Sequence, residues 1–158
     1  MIEPPTLFVE IAFQGMIVVP TAYPISLARI IRYLQHQIND VAQINALPGE
    51  DPEIAMRLEL YAPPTPLHLL RRVRPTDLVD LATQGFVTLN RNRFDETRGL
   101  YKPAFKRVYI APAYRATARC TGDAKSIRRI LAHLTHVGAN RTYGYGKVKR
   151  IEVKTIDR

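Results

Sequence analysis

The sequence has little that would cross-link the chain or place it in a membrane. Its one cysteine, Cys120, excludes an intramolecular disulfide and favours a reducing, cytoplasmic setting. The longest apolar run near the start, residues 15–20, is far too short to span a bilayer. Residues 1–5 lack the basic-then-apolar pattern of a secretion signal. These absences predict a cytoplasmic protein without a membrane partner.

Patterns typical of cofactor and metal sites are absent as well. The pair Gly144 and Gly146 follows a predicted helix and precedes a strand, whereas a dinucleotide fingerprint follows a strand and opens a helix. No Gly-Lys-Ser/Thr phosphate loop occurs, and no carboxylate or cysteine accompanies the histidines at ligand spacing. Ser126 has no histidine–acid partner that the sequence reveals. We therefore predict neither a cofactor nor a bound metal.

Acidic residues are sparse in the second part of the chain, although the whole chain carries a net charge of +9. Residues 1–66 hold three basic and seven acidic residues, a net charge of −4. Residues 67–158 hold 20 basic and seven acidic residues, a net charge of +13. Such asymmetry is typical of a surface that binds a polyanion. The alternative is a basic protein whose charges only solvate it.

Glycine, by contrast, is concentrated in residues 138–147, which read Gly-Ala-Asn-Arg-Thr-Tyr-Gly-Tyr-Gly-Lys. Glycines let a backbone approach a ligand closely, cations seek phosphates and tyrosine rings stack on bases. We call residues 138–147 the glycine-rich loop and predict that it binds RNA. The predicted contacts are Gly138, Arg141, Tyr143, Gly144, Tyr145, Gly146 and Lys147. A loop whose glycines only permit tight packing is the alternative.

A second basic segment, residues 91–107, holds six basic residues, two acidic ones and three aromatics. Basic residues interleaved with aromatic rings suit single-stranded nucleic acid, because rings stack on bases and cations hold the backbone. A disordered surface loop is the alternative interpretation. The predicted RNA contacts of this segment are Arg91, Arg93, Arg98, Tyr101, Lys102, Lys106 and Arg107.

Hydrophobic periodicity predicts the order strand, helix, strand, inserted segment, strand, helix, strand. The strands are expected over residues 6–13, 56–60, 109–121 and 148–153, and the helices over 27–38 and 123–137, with Ser26 and Asp123 as N-caps. Residues 75–84 look like a short helix and residues 86–89 like a strand. The fold class is therefore α+β. We predict one ferredoxin-like or RRM-like β-α-β-β-α-β domain over residues 1–158, with an inserted, thumb-like basic hairpin at about 63–107.

This topology places the first and third long strands side by side in the centre of the sheet. Glu10 would then share the open face of the sheet with Arg115 and Arg119, and we expect an ion pair across the strands. Both arginines are predicted to hold an RNA backbone.

The histidines offer an alternative, catalytic interpretation. His133 and His136 are three residues apart on the predicted last helix, which would place them on one face beside the glycine-rich loop. They would suit general acid–base work on an RNA 2′-hydroxyl. His136 at a helix C-terminus is equally explained as a capping interaction.

Residues 131–148 resemble the C-terminal glycine-rich motif of CRISPR-associated RAMP proteins. Residues 13–20, 24–31 and 94–102 are similar to segments of one narrower group, the short RAMP subunit of type IV, plasmid-associated CRISPR effector complexes. Ala139 and Asn140 stand where that motif commonly has two lysines. The phosphate contact there would therefore rest on Arg141.

The resemblance implies a non-catalytic subunit that binds the 5′ handle of the guide RNA and caps a filament of backbone RAMP subunits. Its partners would be CRISPR guide RNA, the backbone RAMP subunits, the large subunit and, through the complex, target DNA, in defence against plasmids or phage. Residues 90–107 would form its thumb. Two alternatives stay open. One is a metal-independent endonuclease that processes precursor CRISPR RNA, for which the resemblance implies His133, His136, Tyr143 and Lys147 as catalytic residues. The other is a structural partner protein with incidental basicity.

Overall fold

A computed structural model describes residues 4–71, 104–139 and 144–156 of the chain. The helix predicted over residues 75–84, the strand predicted over 86–89 and most of the basic segment lie outside these described residues. Seven strands and two helices occur within them: β1 (Thr6–Phe13), β2 (Met16–Val19), α1 (Leu27–Ile38), β3 (Ile44–Asn45), β4 (Arg57–Leu60), β5 (Thr65–Arg71), β6 (Ala104–Gly122), α2 (Ala124–Leu131) and β7 (Val148–Ile156).

Strand β1 has the predicted bounds, because its alternation matches a half-buried strand. Leu7, Val9 and Ile11 are fully buried, while the residues between them are half-buried on the opposite face. The chain does not leave the sheet after β1. Gly15, at a φ of 90°, turns the chain into β2. The sequence had indicated only that the first strand ends at this point.

Helix α1 forms as predicted. The hydroxyl of Ser26 accepts a hydrogen bond from the Arg29 N–H at 3.0 Å, which satisfies one donor of the first turn. Asn39, in the left-handed conformation with a φ of 51°, ends the helix. Leu27, Ile31 and Leu34 are buried on its inner face.

Helix α2 begins at the predicted N-cap, where the Asp123 carboxylate accepts hydrogen bonds from the N–H groups of Lys125 and Ser126. It ends at Leu131, so the prediction of a helix reaching to residue 137 was wrong. Leu134 and Val137 are buried, as the apolar pattern indicated, but the backbone there turns away to pair with residues 146–148. Burial at helical spacing therefore did not require a helix.

Strand β6 pairs with five other strands of the described residues. One edge pairs with β1 and β2 and the other with β3, β4 and β5, while β7 pairs with β1. The registers of β1, β2, β3 and β4 on β6, and of β7 on β1, are antiparallel. Strand β6 begins at Ala104, five residues before the predicted strand, and β5 lies where no strand was predicted, with Pro66 inside it. The lost N–H of a proline is tolerated on an edge strand.

Both helices contribute to one apolar core against one face of the sheet. Its fully buried members include Leu7, Ile11, Ile31, Ile127 and Ile130. Cys120 lies in the same core, and burial raises the pKa of its thiol to about 11, so the thiol is protonated near neutral pH. The structure is thus α+β with a mostly antiparallel sheet and two helices in its described part, as the ferredoxin-like or RRM-like arrangement predicted.

The chain divides into two compact units. The first comprises residues 1–65 and 109–158 and contains the core just described. The second comprises residues 66–108. Among the described residues, no helix combines the length and apolar character needed to cross a bilayer.

Candidate nucleic-acid interface

The two ends of the glycine-rich loop are fastened together by backbone hydrogen bonds. The Val137 N–H donates to the Gly146 carbonyl at 2.9 Å, and the Val148 N–H donates to the Thr135 carbonyl at 2.8 Å. His136 and Lys147 form an antiparallel bridge between these bonds. The two ends of the loop therefore form a closed base at the start of β7.

Gly146 is a structural residue of this base. Its φ is 70°, and a Cβ at this position would lie 1.8 Å from the Val137 carbonyl oxygen, so no side chain fits without a backbone shift. Its N–H donates to the Met16 carbonyl at 2.8 Å. The predicted contact of the Gly146 amide with phosphate is therefore not available, because that donor is already used within the fold.

Gly144 lies in an open part of the loop. It is exposed with a φ of 83°, and a Cβ there would have no heavy atom within 4 Å. Tyr145 beside it is half-buried. Gly138 is exposed at the other end of the loop. Arg141 and Tyr143 lie outside the described residues. Of the predicted loop contacts, the structure thus describes Gly138 and residues 144–147.

Lys147 supplies the cation of the described part of the loop. Its side chain is exposed, and among the described residues no carboxylate forms an ion pair with it. Its backbone is held in place, because the Gln14 N–H donates to the Lys147 carbonyl at 2.8 Å. A positioned backbone with an exposed ammonium group beside it suits a phosphate.

The histidine pair does not have the predicted geometry. α2 ends at Leu131, so His133 lies exposed in the turn after it and His136 lies in the bridge to Lys147. The Nδ1 atom of His136 is 3.1 Å from the Thr135 hydroxyl oxygen. The expected shared helix face was therefore wrong. Lys147 remains beside His136 through the bridge, and Tyr143 lies outside the described residues.

The ion pair expected across the central strands is confirmed. Arg115 of β6 binds Glu10 of β1 at 2.8 Å and Glu59 of β4 at 2.9 Å. Hydrogen bonds to Glu59 and Glu10 raise the pKa of the Arg115 guanidinium. Arg115 is therefore occupied by two carboxylates and offers less charge to an RNA backbone than the sequence indicated.

Further ion pairs on the open face of the sheet involve residues of β7. Arg150 lies 3.6 Å from Glu10 and 3.0 Å from Glu152, and Lys154 lies 2.7 Å from Glu152. The Lys154 contact is the main reason that the pKa of Glu152 is lowered. Every carboxylate at an open-face position of β1, β4 and β7 thus has a cation partner.

Arg119 is the predicted contact on this face that remains available. It is exposed, and no carboxylate of the described residues forms an ion pair with it. It stands opposite Phe8 in the register of β1 on β6, and both line a groove of about 450 Å³ with Arg57 and Glu50. Phe8 and Arg57 were missed, although the alternation of β1 places Phe8 on the same face as Glu10.

The predicted contacts of the basic segment are described only in part. Arg107 is exposed on β6, where its Nε donates to the Nε2 of His68 on β5 at 3.2 Å. The backbone of Lys106 belongs to β6. Arg91, Arg93, Arg98, Tyr101 and Lys102 lie outside the described residues. No cluster of three or more metal-ligating side chains occurs in residues 4–71, 104–139 and 144–156.

Comparison with protein families relates this chain to a CRISPR-associated family. The family described as CRISPR type IV associated protein Csf3 matches residues 69–158, which include α2, β7 and the whole glycine-rich loop. No curated protein matches the chain. Because the family match covers more than half of the 158 residues, the chain belongs to the CRISPR type IV associated protein Csf3 family.

Proposed function

We propose that this protein is a non-catalytic RNA-binding subunit of a type IV CRISPR effector complex. It holds the 5′ handle of the guide RNA and caps the filament of backbone RAMP subunits, beside the large subunit. Membership of a type IV CRISPR-associated family supports the setting. The net charge of +13 over residues 67–158 supports a polyanionic ligand.

The observation that carries the proposal is the glycine-rich loop on its closed base. Lys147 is exposed and without a carboxylate partner in the described part of the chain, and Gly144 leaves the backbone open beside it. The N–H groups of such an open segment bind anionic groups well, and a neighbouring ammonium adds charge. Arg141, in the same loop, is the second predicted phosphate contact.

The open face of the sheet extends this surface. Arg119 faces solvent beside Phe8, an arrangement in which a cation holds a phosphate and a ring contacts a base. The ion pairs around Glu10, Glu59 and Glu152 neutralise the carboxylates that would otherwise repel RNA. We therefore assign the loop a primary role and the sheet face a secondary one.

The test measures binding of a 5′-handle RNA from the repeat of the neighbouring CRISPR array over a range of salt concentrations. Lys147→Ala and Arg141→Ala should each weaken binding and reduce the slope of log K against log salt by about 0.7, because each removes one phosphate contact from single-stranded RNA. Lys125→Ala, which removes an exposed lysine from α2, is the matched control and should leave both unchanged.

Two results would contradict the proposal. Unchanged affinity and salt slope in both loop variants would remove the loop from the RNA interface. Site-specific cleavage of repeat RNA in EDTA, abolished by His136→Ala, would instead establish the ribonuclease alternative.

A further inference from the structure

Two exposed tyrosines contact each other at the end of β4. Tyr61 and Tyr114 are 71% and 45% exposed, and their ring centroids are 5.3 Å apart with the planes tilted by 53°. The Arg115 guanidinium carbon lies 5.1 Å from the Tyr114 centroid, within range of a cation–π contact. Two large rings that are exposed to water beside a cation contribute little to the core and are available to contact a ligand.

Two β-bulges place side chains at this end of the sheet. In the register of β4 on β6, Glu59 stands opposite Arg115 and Leu60 opposite Ala113, which leaves Tyr114 unopposed. In the register of β7 on β1, Ala12 stands opposite Arg150 and Phe13 opposite Val148, which leaves Lys149 unopposed. Bulges re-aim side chains and occur often beside functional sites.

The re-aimed lysine and one of the tyrosines line the same groove. This groove has a volume of about 380 Å³ and is bounded by Tyr61, Lys149, Gln14, Gly15 and Pro112, with Phe13 and Ala113 completing it. A Cβ on Gly15 would meet nothing within 4 Å, so the floor of the groove is open to a ligand. Among the residues that the structure describes, no carboxylate lines it.

The groove adjoins the glycine-rich loop through the backbone. Gln14, on the groove, donates its N–H to the carbonyl of Lys147 at 2.8 Å. Lys147 and Lys149 are both exposed, one on each side of Val148. A chain of phosphates held at Lys147 would therefore have its neighbouring nucleotide within reach of the tyrosine pair.

We propose that Tyr61 and Tyr114 form a stacking platform for a nucleobase of single-stranded RNA, with Lys149 holding a phosphate of the same nucleotide. The platform rests on the proposed function, because the RNA is the one whose backbone the glycine-rich loop holds. Charge complementarity favours RNA over an apolar protein segment, since Lys149 lines the groove beside Tyr61 and no carboxylate of the described residues does. Stacking is sequence-tolerant, so the platform adds affinity for any base.

The experiment measures binding of a fluorescein-labelled oligouridine to the full chain carrying Tyr61→Leu or Tyr114→Leu. Each loss of a ring should weaken binding roughly 5- to 150-fold, the range for one stacked base. The slope against salt should stay unchanged, because no phosphate contact is removed. Tyr61→Phe and Tyr114→Phe keep the ring and should bind like the wild type.

Tyr33→Leu is the position control, because Tyr33 lies on α1, which packs on the other face of the sheet, and is 45% exposed, like Tyr114. It should bind oligouridine normally. A 4-thiouridine version of the probe, crosslinked by light, should attach to the peptides that contain Tyr61 or Tyr114. Thermal unfolding of each variant checks that the fold is intact.

The outcomes separate the platform from the function on which it rests. Wild-type affinity in both leucine variants, with weakened binding in Lys147→Ala, overturns the platform and leaves the proposed function standing. Equal losses in the leucine and phenylalanine variants also overturn it, because the hydroxyl rather than the ring would then matter. If the wild type binds neither oligouridine nor handle RNA, both the platform and the proposed function are overturned.

Discussion

At the scale of single residues, two glycines of the loop have different roles, although both belong to the same sequence pattern. Gly146 is required by its φ of 70° and by the neighbouring Val137 carbonyl, which leaves no room for a Cβ. Gly144 is required only by its backbone conformation, since the space around it is open. One glycine therefore maintains the fold, and the other leaves room for a ligand.

The two alanine variants should separate these roles. Gly144→Ala forces a side chain into the left-handed region and should lower the free energy of unfolding by about 1–2 kcal/mol. Gly146→Ala carries the same strain and a clash with the Val137 carbonyl, so it should be clearly more destabilising. Urea unfolding of both variants makes the comparison. Equal losses would mean that the loop base shifts freely to admit a Cβ.

The ion pairs of Arg115 also show which contacts between residues can be predicted from a sequence. The Glu10–Arg115 pair was predictable, because alternation assigns each residue to a face and the β-α-β-β-α-β order makes the two strands neighbours. The second partner, Glu59, depends on the register of β4, which the sequence does not specify. The bulges that re-aim Tyr114 and Lys149 depend on register in the same way and leave no local signal.

At the scale of elements, the start of α1 is held by the segment before β4 as well as by its own N-cap. The N–H groups of Leu27 and Ala28 donate to the carbonyls of Ile54 and Glu53. The Ser26 hydroxyl lies 2.6 Å from the Glu53 carbonyl oxygen and is almost fully buried. Ile54 takes a φ of 54°, an unusual conformation for a β-branched residue, and the segment keeps it to reach the helix.

Ser26→Ala should therefore weaken the helix start and its attachment together. Loss of the N-cap should cost about 1 kcal/mol, and loss of the hydrogen bond from the hydroxyl to the Glu53 carbonyl should add to this. The measurement is the urea midpoint of the variant, with Thr21→Ala, which removes an exposed hydroxyl five residues earlier, as a control. A Ser26→Ala variant as stable as the control would contradict a structural role for the buried hydroxyl.

The end of α2 shows why element boundaries were the weaker part of the prediction. Leu134 and Val137 continue the apolar spacing of the helix and are buried as expected. The Val137 N–H, however, donates to the Gly146 carbonyl, and the Leu134 N–H closes a tight turn onto the Leu131 carbonyl. Apolar spacing reports burial, and hydrogen bonds to a segment nine or more residues away override the helix.

At the scale of the whole molecule, carboxylates tie separate elements together. The pKa of Asp40 is lowered chiefly by its hydrogen bond to Arg129, which joins the end of α1 to α2. The pKa of Glu53 is lowered chiefly by Arg32. The Ser126 contact lowers the pKa of Asp123, and Lys154 lowers that of Glu152. All four groups favour the folded state in their charged form.

Stability should therefore fall in acid. A carboxylate with a lowered pKa contributes stability above its unfolded pKa, here 3.8 for Asp and 4.5 for Glu, and loses it as the pH drops through the lower folded value. The urea midpoint should be level near neutral pH and decline below about pH 4.5. Asp40→Asn should be less stable at neutral pH and should approach the wild type in acid. A constant difference at every pH would contradict this linkage.

The closed base of the glycine-rich loop makes the stability of the sheet largely independent of the length of the loop. Hydrogen bonds between Val137 and Gly146 close the loop whatever lies between them. Lengthening a closed flexible loop costs only about 0.6 kcal/mol per doubling. Residues can therefore be inserted after Gly138 with little effect on the stability of the sheet, so the scaffold that carries the loop does not fix its length.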